Sequence, residues 1–396
     1  MNSKKDKCSG CGLCAEICPQ KCLKMKKDEL GFRYANIENN DKCIKCNLCK
    51  QVCHIDKVPD GKIIKTYIAQ SKNDKELLES TSGGVFSVLA RNILNKNGVV
   101  WGIYMNEDFS NTYICIDKEE NLHKIRGSKY VECDDSVPAK EIEEQLNSNK
   151  LVLFSGTPCQ VKALKTYLKM KKNRKMDKLY TVDLFCYGIQ SPRMWKKYIE
   201  EINPTGKKLK KIAMRKKQPS WEIYSMSIEF SDDSKYEKIR WKDNWLKSYS
   251  KGLYNREICS NCSSKTFPKE SDITLGDFWA IDNLNMPKEF ERKKGISIII
   301  TNSIEGKRFI DEIKDDIKCF EVSEHVFKSI YPNLGKSNKQ SDKRKEFCDM
   351  VEREGMTKSI DKYIGKEYKK MILTHVKPKF KKIKRIINKR NGRKEI

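Results

Sequence analysis

From residue 63 onward, short apolar runs alternate with amphipathic stretches and turns of small residues. Residues 63–69 predict a strand. Ser80-Thr81-Ser82-Gly83-Gly84 forms a small-residue loop opening a helix over 85–94, with Phe86, Leu89 and Ile93 at helical spacing. Residues 98–105 predict a buried strand. Residues 151–154 predict another, running through Ser155-Gly156-Thr157-Pro158-Cys159-Gln160 into a helix over 161–168. Residues 179–185 form a strand ending at Cys186-Tyr187-Gly188, followed by Gln190-Ser191-Pro192 and a helix over 193–202. Residues 221–230 alternate like a strand with one exposed face, and 296–301 predict a buried strand before a helix near 305–313. Repeated strand–loop–helix units imply an α/β domain with a mixed sheet. Ligands in such folds gather at the carboxyl ends of strands. The loops 80–84, 155–160 and 187–192 lie at such ends, and none matches GxGxxG or GxxxxGK(S/T).

The first 57 residues follow another rule. Cys8-x2-Cys11-x2-Cys14-x3-Cys18-Pro19 recurs as Cys43-x2-Cys46-x2-Cys49-x3-Cys53, with His54 in place of proline. Each ligand position is offset by 43 − 8 = 35 residues. This is the spacing of a bacterial-type ferredoxin with two [4Fe-4S] clusters, in which the fourth cysteine of each run serves the other cluster. One set is Cys8, Cys11, Cys14 and Cys53; the other is Cys43, Cys46, Cys49 and Cys18. Paired zinc knuckles fit poorly, because zinc favours separated CxxC pairs and often histidine. Cys22 reads as a small buried hydrophobe beside the clusters.

Composition narrows the setting. The chain has 396 residues, enough for two to three domains, with 38% hydrophobic residues and a formal charge of 81 − 54 = +27. Seventeen cysteines accompany only four histidines. A secreted disulfide scaffold is opposed by the length, by a start (MNSKKDKCSGC) lacking an apolar signal region, and by the CxxC clustering. No apolar run approaches a membrane span. The expectation is a cytoplasmic protein in a reducing compartment, its lysines partly the bias of an AT-rich genome.

Four further cysteines stand apart: Cys159, Cys186 and the pair Cys259-x2-Cys262. Four thiolates suffice for a third [4Fe-4S] cluster. A redox disulfide, a zinc site or inert buried thiols remain alternatives on spacing alone. Cys115, Cys133, Cys319 and Cys348 read as buried and bland. Clusters move single electrons whereas most substrates take hydride pairs, so a flavin is the natural converter. Residues 377–396 carry ten Lys/Arg against Glu395, with Phe380, Ile383, Ile386 and Ile387 on one helical face. That pattern suits a solvated tail or a peripheral membrane-surface contact. Nucleic-acid binding is not expected, because the basic residues are dispersed.

The strings Ser80-Thr-Ser-Gly-Gly-Val-Phe-Ser87, Ser155-Gly-Thr-Pro-Cys-Gln-Val161, Val182-Asp-Leu-Phe-Cys-Tyr-Gly188 and Ser271-Asp-Ile-Thr-Leu-Gly-Asp-Phe-Trp279 together resemble the family of coenzyme F-420 hydrogenase/dehydrogenase beta subunits. The resemblance spans about residues 8–334. It implies a ferredoxin-like α+β domain with two [4Fe-4S] clusters (1–57), then an α/β domain with mixed sheet carrying FAD and a further cluster (63–335), and a basic helical extension (336–396). It implies Cys159, Cys186, Cys259 and Cys262 as ligands of the third cluster. Ser82, Gly83, Gly84, Thr157 and Pro158 become candidate FAD contacts, with Tyr187, Gly188 and Asp277 nearby. Tyr187 stands where many relatives carry histidine. The implied activity is electron transfer between clusters and a hydride-exchanging substrate, with coenzyme F-420 or a redox protein as partner. Some relatives reduce pigments, and many bacterial ones are encoded near polysaccharide-modifying genes. The rival reading is a ferredoxin-type adaptor for a partner reductase.

Overall fold

The computed structural model describes residues 5–365 except Asp60, Ser250, Asn285 and Asn338. The basic segment 377–396, with its membrane-surface reading, lies outside the described residues. No described helix is long and apolar enough to cross a membrane.

The N-terminal segment contains one antiparallel hairpin, β1 (Leu23–Lys27) and β2 (Arg33–Ile37), between the two cysteine runs. The two runs share a backbone shape. Gly10 and Gly12 adopt φ of 77° and 81°; their counterparts 35 residues on, Lys45 and Asn47, adopt 54° and 61°. Four-residue helices follow in both copies, Leu13–Glu16 and Leu48–Gln51. The sequence repeat is therefore a structural repeat.

The body is built on an eight-stranded mixed sheet. Its strands are β3 (Lys65–Ser71), β4 (Val99–Met105), β5 (Asn111–Ile116), β6 (Val152–Ser155), β7 (Leu179–Leu184), β11 (Ile273–Asp277), β12 (Ser297–Thr301) and β13 (Ile317–Val322). The order is β13-β3-β12-β11-β7-β6-β4-β5. The central run β11-β7-β6-β4 is parallel, and the flanking pairs are antiparallel. Central strands covered on both faces must be apolar on both, and Val152, Leu153 and Phe154 are fully buried in succession. Helix Val85–Asn95 seals one face with Val88, Leu89 and Ile93 against Val100, Leu153 and Ile299. Helices Ala139–Asn147 and Pro158–Met170 seal the other, and Leu13 and Val52 of the cysteine runs join that core.

A second sheet, β8 (Leu209–Lys216), β9 (Ser225–Phe230) and β10 (Lys235–Ile239), is antiparallel in the order β10-β9-β8. It packs Met214, Met226 and Ile228 with Phe32 and Tyr34 of the hairpin. The helices Arg344–Glu354 and Met356–Tyr363 add Phe347, Val351 and Ile360 to the same core. The described part of the extension is thus helical and joined to the body.

Several expected boundaries shift. The first strand starts two residues late and extends to Ser71. The expected strand over 221–230 is only Ser225–Phe230: the chain turns through Pro219, and Trp221 is drawn into an aromatic stack. The helix after β6 begins at Pro158, so Cys159 sits in its first turn rather than in a loop. Cys133 and Cys348 are buried as expected, whereas Cys115 is exposed and Cys319 half-buried. No two of the seventeen cysteines are joined in a disulfide.

Candidate functional site

The two cysteine runs lie close together, and Cys14 of the first also feels Cys49 of the second. Cys11 and Cys14 lie within the electrostatic reach of Cys8 and of Cys53, the last cysteine of the other run. Burial pushes the Cys11 thiol up to about 12, so iron binding there must expel protons from buried sulfurs. On the other side Cys22, fully buried, bridges Cys18 and Cys43. Its amide donates to Cys18 Sγ at 3.3 Å, and its thiol meets both neighbours. Cys46 is exposed and Cys49 half-buried on the same loop as Cys43.

The first run is pressed onto the body. A Cβ on Gly12 would sit 1.9 Å from Ser136 Oγ, and one on Gly10 would sit 2.9 Å from Arg256 Nη1. Both positions need glycine for close approach as well as for a left-handed backbone. Arg256 is the clamp. Its Nε donates to the Cys8 carbonyl at 2.7 Å, its Nη2 to the Arg33 carbonyl at 2.6 Å, and its Nη1 pairs with Glu132. His54 fills the place of the missing proline, wholly buried, with Nε2 2.9 Å from Ser9 Oγ. Burial and the charges of Lys162 and Lys57 push its pKa down to about 3, so it is neutral at physiological pH.

The four separate cysteines converge. Cys159, Cys186, Cys259 and Cys262 line one hollow with Pro158, Ile189, Ser9 and Ile55. The elements explain why. β6 and β7 are parallel neighbours, so their carboxyl ends bring the first turn of helix Pro158–Met170 beside Cys186. Gly188, at φ 125°, turns the chain so that Ile189 N–H donates to Cys259 Sγ at 3.4 Å. Thr157 caps the helix: its N–H donates to Gln160 Oε1 at 2.7 Å, and its Oγ1 lies 3.2 Å from Cys159 Sγ. Burial, then the neighbouring thiols Cys262 and Cys186, hold Cys159 well above the ordinary range, and burial pushes Cys259 up to about 12. Among the described residues no three Cys, His, Asp or Glu side chains converge tightly enough for a single metal ion.

Lys265 lines the same hollow, two more buried lysines lie within electrostatic reach of its cysteines, and sequence reasoning missed all three. Lys162, Lys265 and Lys269 are 2%, 5% and 4% exposed. Lys162 feels Cys262 and Cys159, and Cys186 feels Lys265 and Lys269. Lys162 donates to the Lys57 carbonyl at 2.5 Å and Lys265 to the Cys259 carbonyl at 3.1 Å; Lys269 stands 3.6 Å from Asp183. Buried ammonium groups are costly without counter-charge. A [4Fe-4S]2+ cluster held by four thiolates would carry −4 + 2 = −2 and would add to the counter-charge that Asp183 gives Lys269.

Asp277 and Tyr187, at the carboxyl ends of β11 and β7, stand near an aromatic and guanidinium cluster. Asp277, at the end of β11, pairs with Arg215 and accepts from Trp221 Nε1 at 3.0 Å, so both its oxygens are engaged. Trp221 stacks on Trp279 at 4.3 Å and 4°, and the Arg215 guanidinium lies 4.6 Å from the Tyr224 ring and 5.2 Å from the Trp279 ring. The Arg215 side chain is only 7% exposed, yet its Nε and Nη2 have no hydrogen-bond partner in the protein. Tyr187 and Trp279 remain 51% and 40% exposed. Orphaned guanidinium N–H groups among open aromatic faces suit a planar ring with carbonyl or anionic edges, as a flavin has.

Ser82, Gly83 and Gly84 are used differently. Gly83 donates to Ser297 Oγ at 2.8 Å, and its carbonyl accepts from Ser71 N–H at 2.7 Å. Ser82 donates to the Ile296 carbonyl, and its own carbonyl accepts from Lys217 Nζ, which also reaches the Leu77 and Lys294 carbonyls. Burial lowers Lys217 to about 7. This loop is an internal joint, with Thr157 and Pro158 on the thiol side.

Comparisons with known proteins follow this geometry. Residues 149–325 match the family model that describes the C terminus of the coenzyme F420 hydrogenase/dehydrogenase beta subunit. Residues 7–56 match a 4Fe-4S dicluster domain. The chain is similar to the F subunit of the F(420)H(2) dehydrogenase of Methanosarcina mazei, 23% identical over 333 residues, covering 80% of this chain and 85% of that one. Among solved structures it is similar to a chain from the xenon derivatization of the F420-reducing [NiFe] hydrogenase complex from Methanosarcina barkeri. That match has 17% identity and a TM-score of 0.47, over 75% of this chain and 95% of the other.

Proposed function

We propose that the chain is an iron-sulfur flavoprotein oxidoreductase of the coenzyme F-420 hydrogenase/dehydrogenase beta-subunit type, whose C-terminal family model matches residues 149–325. Electrons pass between two ferredoxin-type [4Fe-4S] clusters, a third cluster and FAD, and on to a hydride-exchanging substrate. The ligands are Cys8, Cys11, Cys14 and Cys53; Cys43, Cys46, Cys49 and Cys18; and Cys159, Cys186, Cys259 and Cys262.

The observation that supports this reading is the hollow lined by four cysteines and Lys265, with buried Lys162 and Lys269 within electrostatic reach of those cysteines. Its position supports a wire. Ser9 and Ile55 of the cysteine runs line it, and Arg256, three residues before Cys259, holds the Cys8 carbonyl. Flavin chemistry, when the group is bound, converts single electrons into hydride pairs. Arg215, held by Asp277, would offer its unpaired N–H groups to the flavin's carbonyl edge, and Trp279 and Tyr187 would offer ring faces. The family description and the relative's name point to coenzyme F-420 as the hydride partner. The test is to add reduced coenzyme F-420 anaerobically to the oxidised protein. Bleaching of flavin and cluster absorbance supports the reading. Clusters that other reductants bleach but coenzyme F-420 leaves unchanged favour the adaptor.

A further inference from the structure

The two cysteine runs share one backbone but face different surroundings. Cys8, Cys11 and Cys14 are half-buried, with Gly10, Gly12 and Leu13 buried against the body. In the second run every residue from Asp41 to Asn47 is exposed, including Cys43 and Cys46. Substitution follows this difference. Where the first loop tolerates only glycine, the second carries Lys45 and Asn47 in the same left-handed conformation, because nothing packs over it. A non-glycine residue in that conformation carries a backbone cost, so the exposed loop accepts a strain that glycine would remove.

The side chains on this loop share a character. Lys42, Lys45 and Lys50 are exposed, and among the described residues none of them forms an ion pair. Glu38, the nearest carboxylate before Asp41, is already engaged by Lys24 and Lys26. Ile44 stands between the cations, 61% exposed. A contact centre that is apolar and redox-active, with a cationic rim, complements an acidic surface that carries an electron.

We propose that the loop 41–50 is the docking surface for a small acidic electron-carrier protein, which exchanges electrons with the chain at the outward-facing cysteine set. The proposal rests on the electron-transfer reading above and names the partner's chemistry. Each encounter moves one electron: the reduced carrier is oxidised by one electron, the chain's iron-sulfur group is reduced by one, and no bond to the carrier forms or breaks. The inward-facing set, clamped by Arg256 beside the four-thiol hollow, gives that electron a continuous way into the body.

The probe is a plant-type [2Fe-2S] ferredoxin, an acidic protein, titrated against the full chain by microscale thermophoresis at low and moderate salt. Lys42→Glu/Lys45→Glu/Lys50→Glu is expected to weaken binding at least tenfold and flatten its salt dependence. A control reversal of the exposed Lys172, Arg174 and Lys175, after helix Pro158–Met170, is expected to leave it within twofold. Unchanged binding in the loop variant, or equal loss in the control, overturns the proposal. Iron content of the same preparations reports separately: iron present with docking unaffected by the loop refutes the surface alone, whereas absence of iron refutes the electron-transfer reading.

Discussion

Arg256 joins the cysteine runs to the body, and replacing it with methionine tests that joint. Its side chain is 1% exposed and Glu132 is 8% exposed, so Arg256→Met strands a carboxylate in the interior. Breaking a buried pair from one side costs about 3–5 kcal/mol. The carbonyls of Cys8 and Arg33 also lose their donors. For a unit of this size, roughly 2–4 °C of melting temperature are lost per kcal/mol, so a fall on the order of 10 °C is expected. Burial already holds the Glu132 carboxyl above its ordinary value, with Arg256 opposing the rise. Removing Arg256 lets it rise further. A raised folded-state value favours the protonated form, which contributes fully below the unfolded value and is lost as pH climbs through the folded one. The deficit of Arg256→Met therefore grows as pH rises above the ordinary carboxylate range, while Arg256→Met/Glu132→Gln recovers most of it and is flat with pH. Denaturant unfolding of the variants under anaerobic conditions measures both. A deficit under about 1 kcal/mol, or one independent of pH, refutes the clamp.

Three other outcomes follow from the same geometry. Lys162→Met removes a buried charge beside the four thiols. At an effective dielectric of about 20, this shifts the energy by on the order of 1–3 kcal/mol, lowering one cluster potential by about 40–130 mV in an EPR-monitored titration while the other two hold. Arg215→Met leaves Asp277 without its cation and removes the orphaned donors. Flavin affinity should fall at least tenfold by fluorescence, with iron content intact. Gly12→Ala drives a Cβ into Ser136 and strains a φ of 81°, costing more than about 2 kcal/mol, whereas Asn47→Gly, at the equivalent exposed position, should be neutral or stabilising in the same melt.

What was legible in the sequence divides along physical lines. Cluster ligation imposes spacing on the chain, so the eight N-terminal cysteines read as two crossed sets from their intervals alone. The central strands were legible because burial on both faces demands unbroken apolar runs such as Val152-Leu153-Phe154. The second sheet was not: β8 mixes Lys and Arg with apolar residues, and only Leu209 and Met214 are buried along it. Lys162, Lys265 and Lys269 resemble any other lysines in a chain with 81 Lys/Arg, and only tertiary packing turns them toward the thiols. Arg215 and Trp221 escaped notice for a similar reason. Their partner Asp277 is more than 50 residues away, and no local pattern marks an unsatisfied guanidinium. Gly83 and Gly84 drew attention as small residues before a helix, and the structure adds what no local pattern marks, their internal contacts with Ser297 and Ser71.

The central claim is that one chain carries three clusters and a flavin. Protein reconstituted anaerobically with iron, sulfide and FAD, then freed of unbound material, can be assayed for iron and flavin per chain. The account predicts about twelve irons and one flavin, falling to about eight irons in Cys159→Ser/Cys262→Ser. Eight irons and no flavin in the unaltered chain would contradict it.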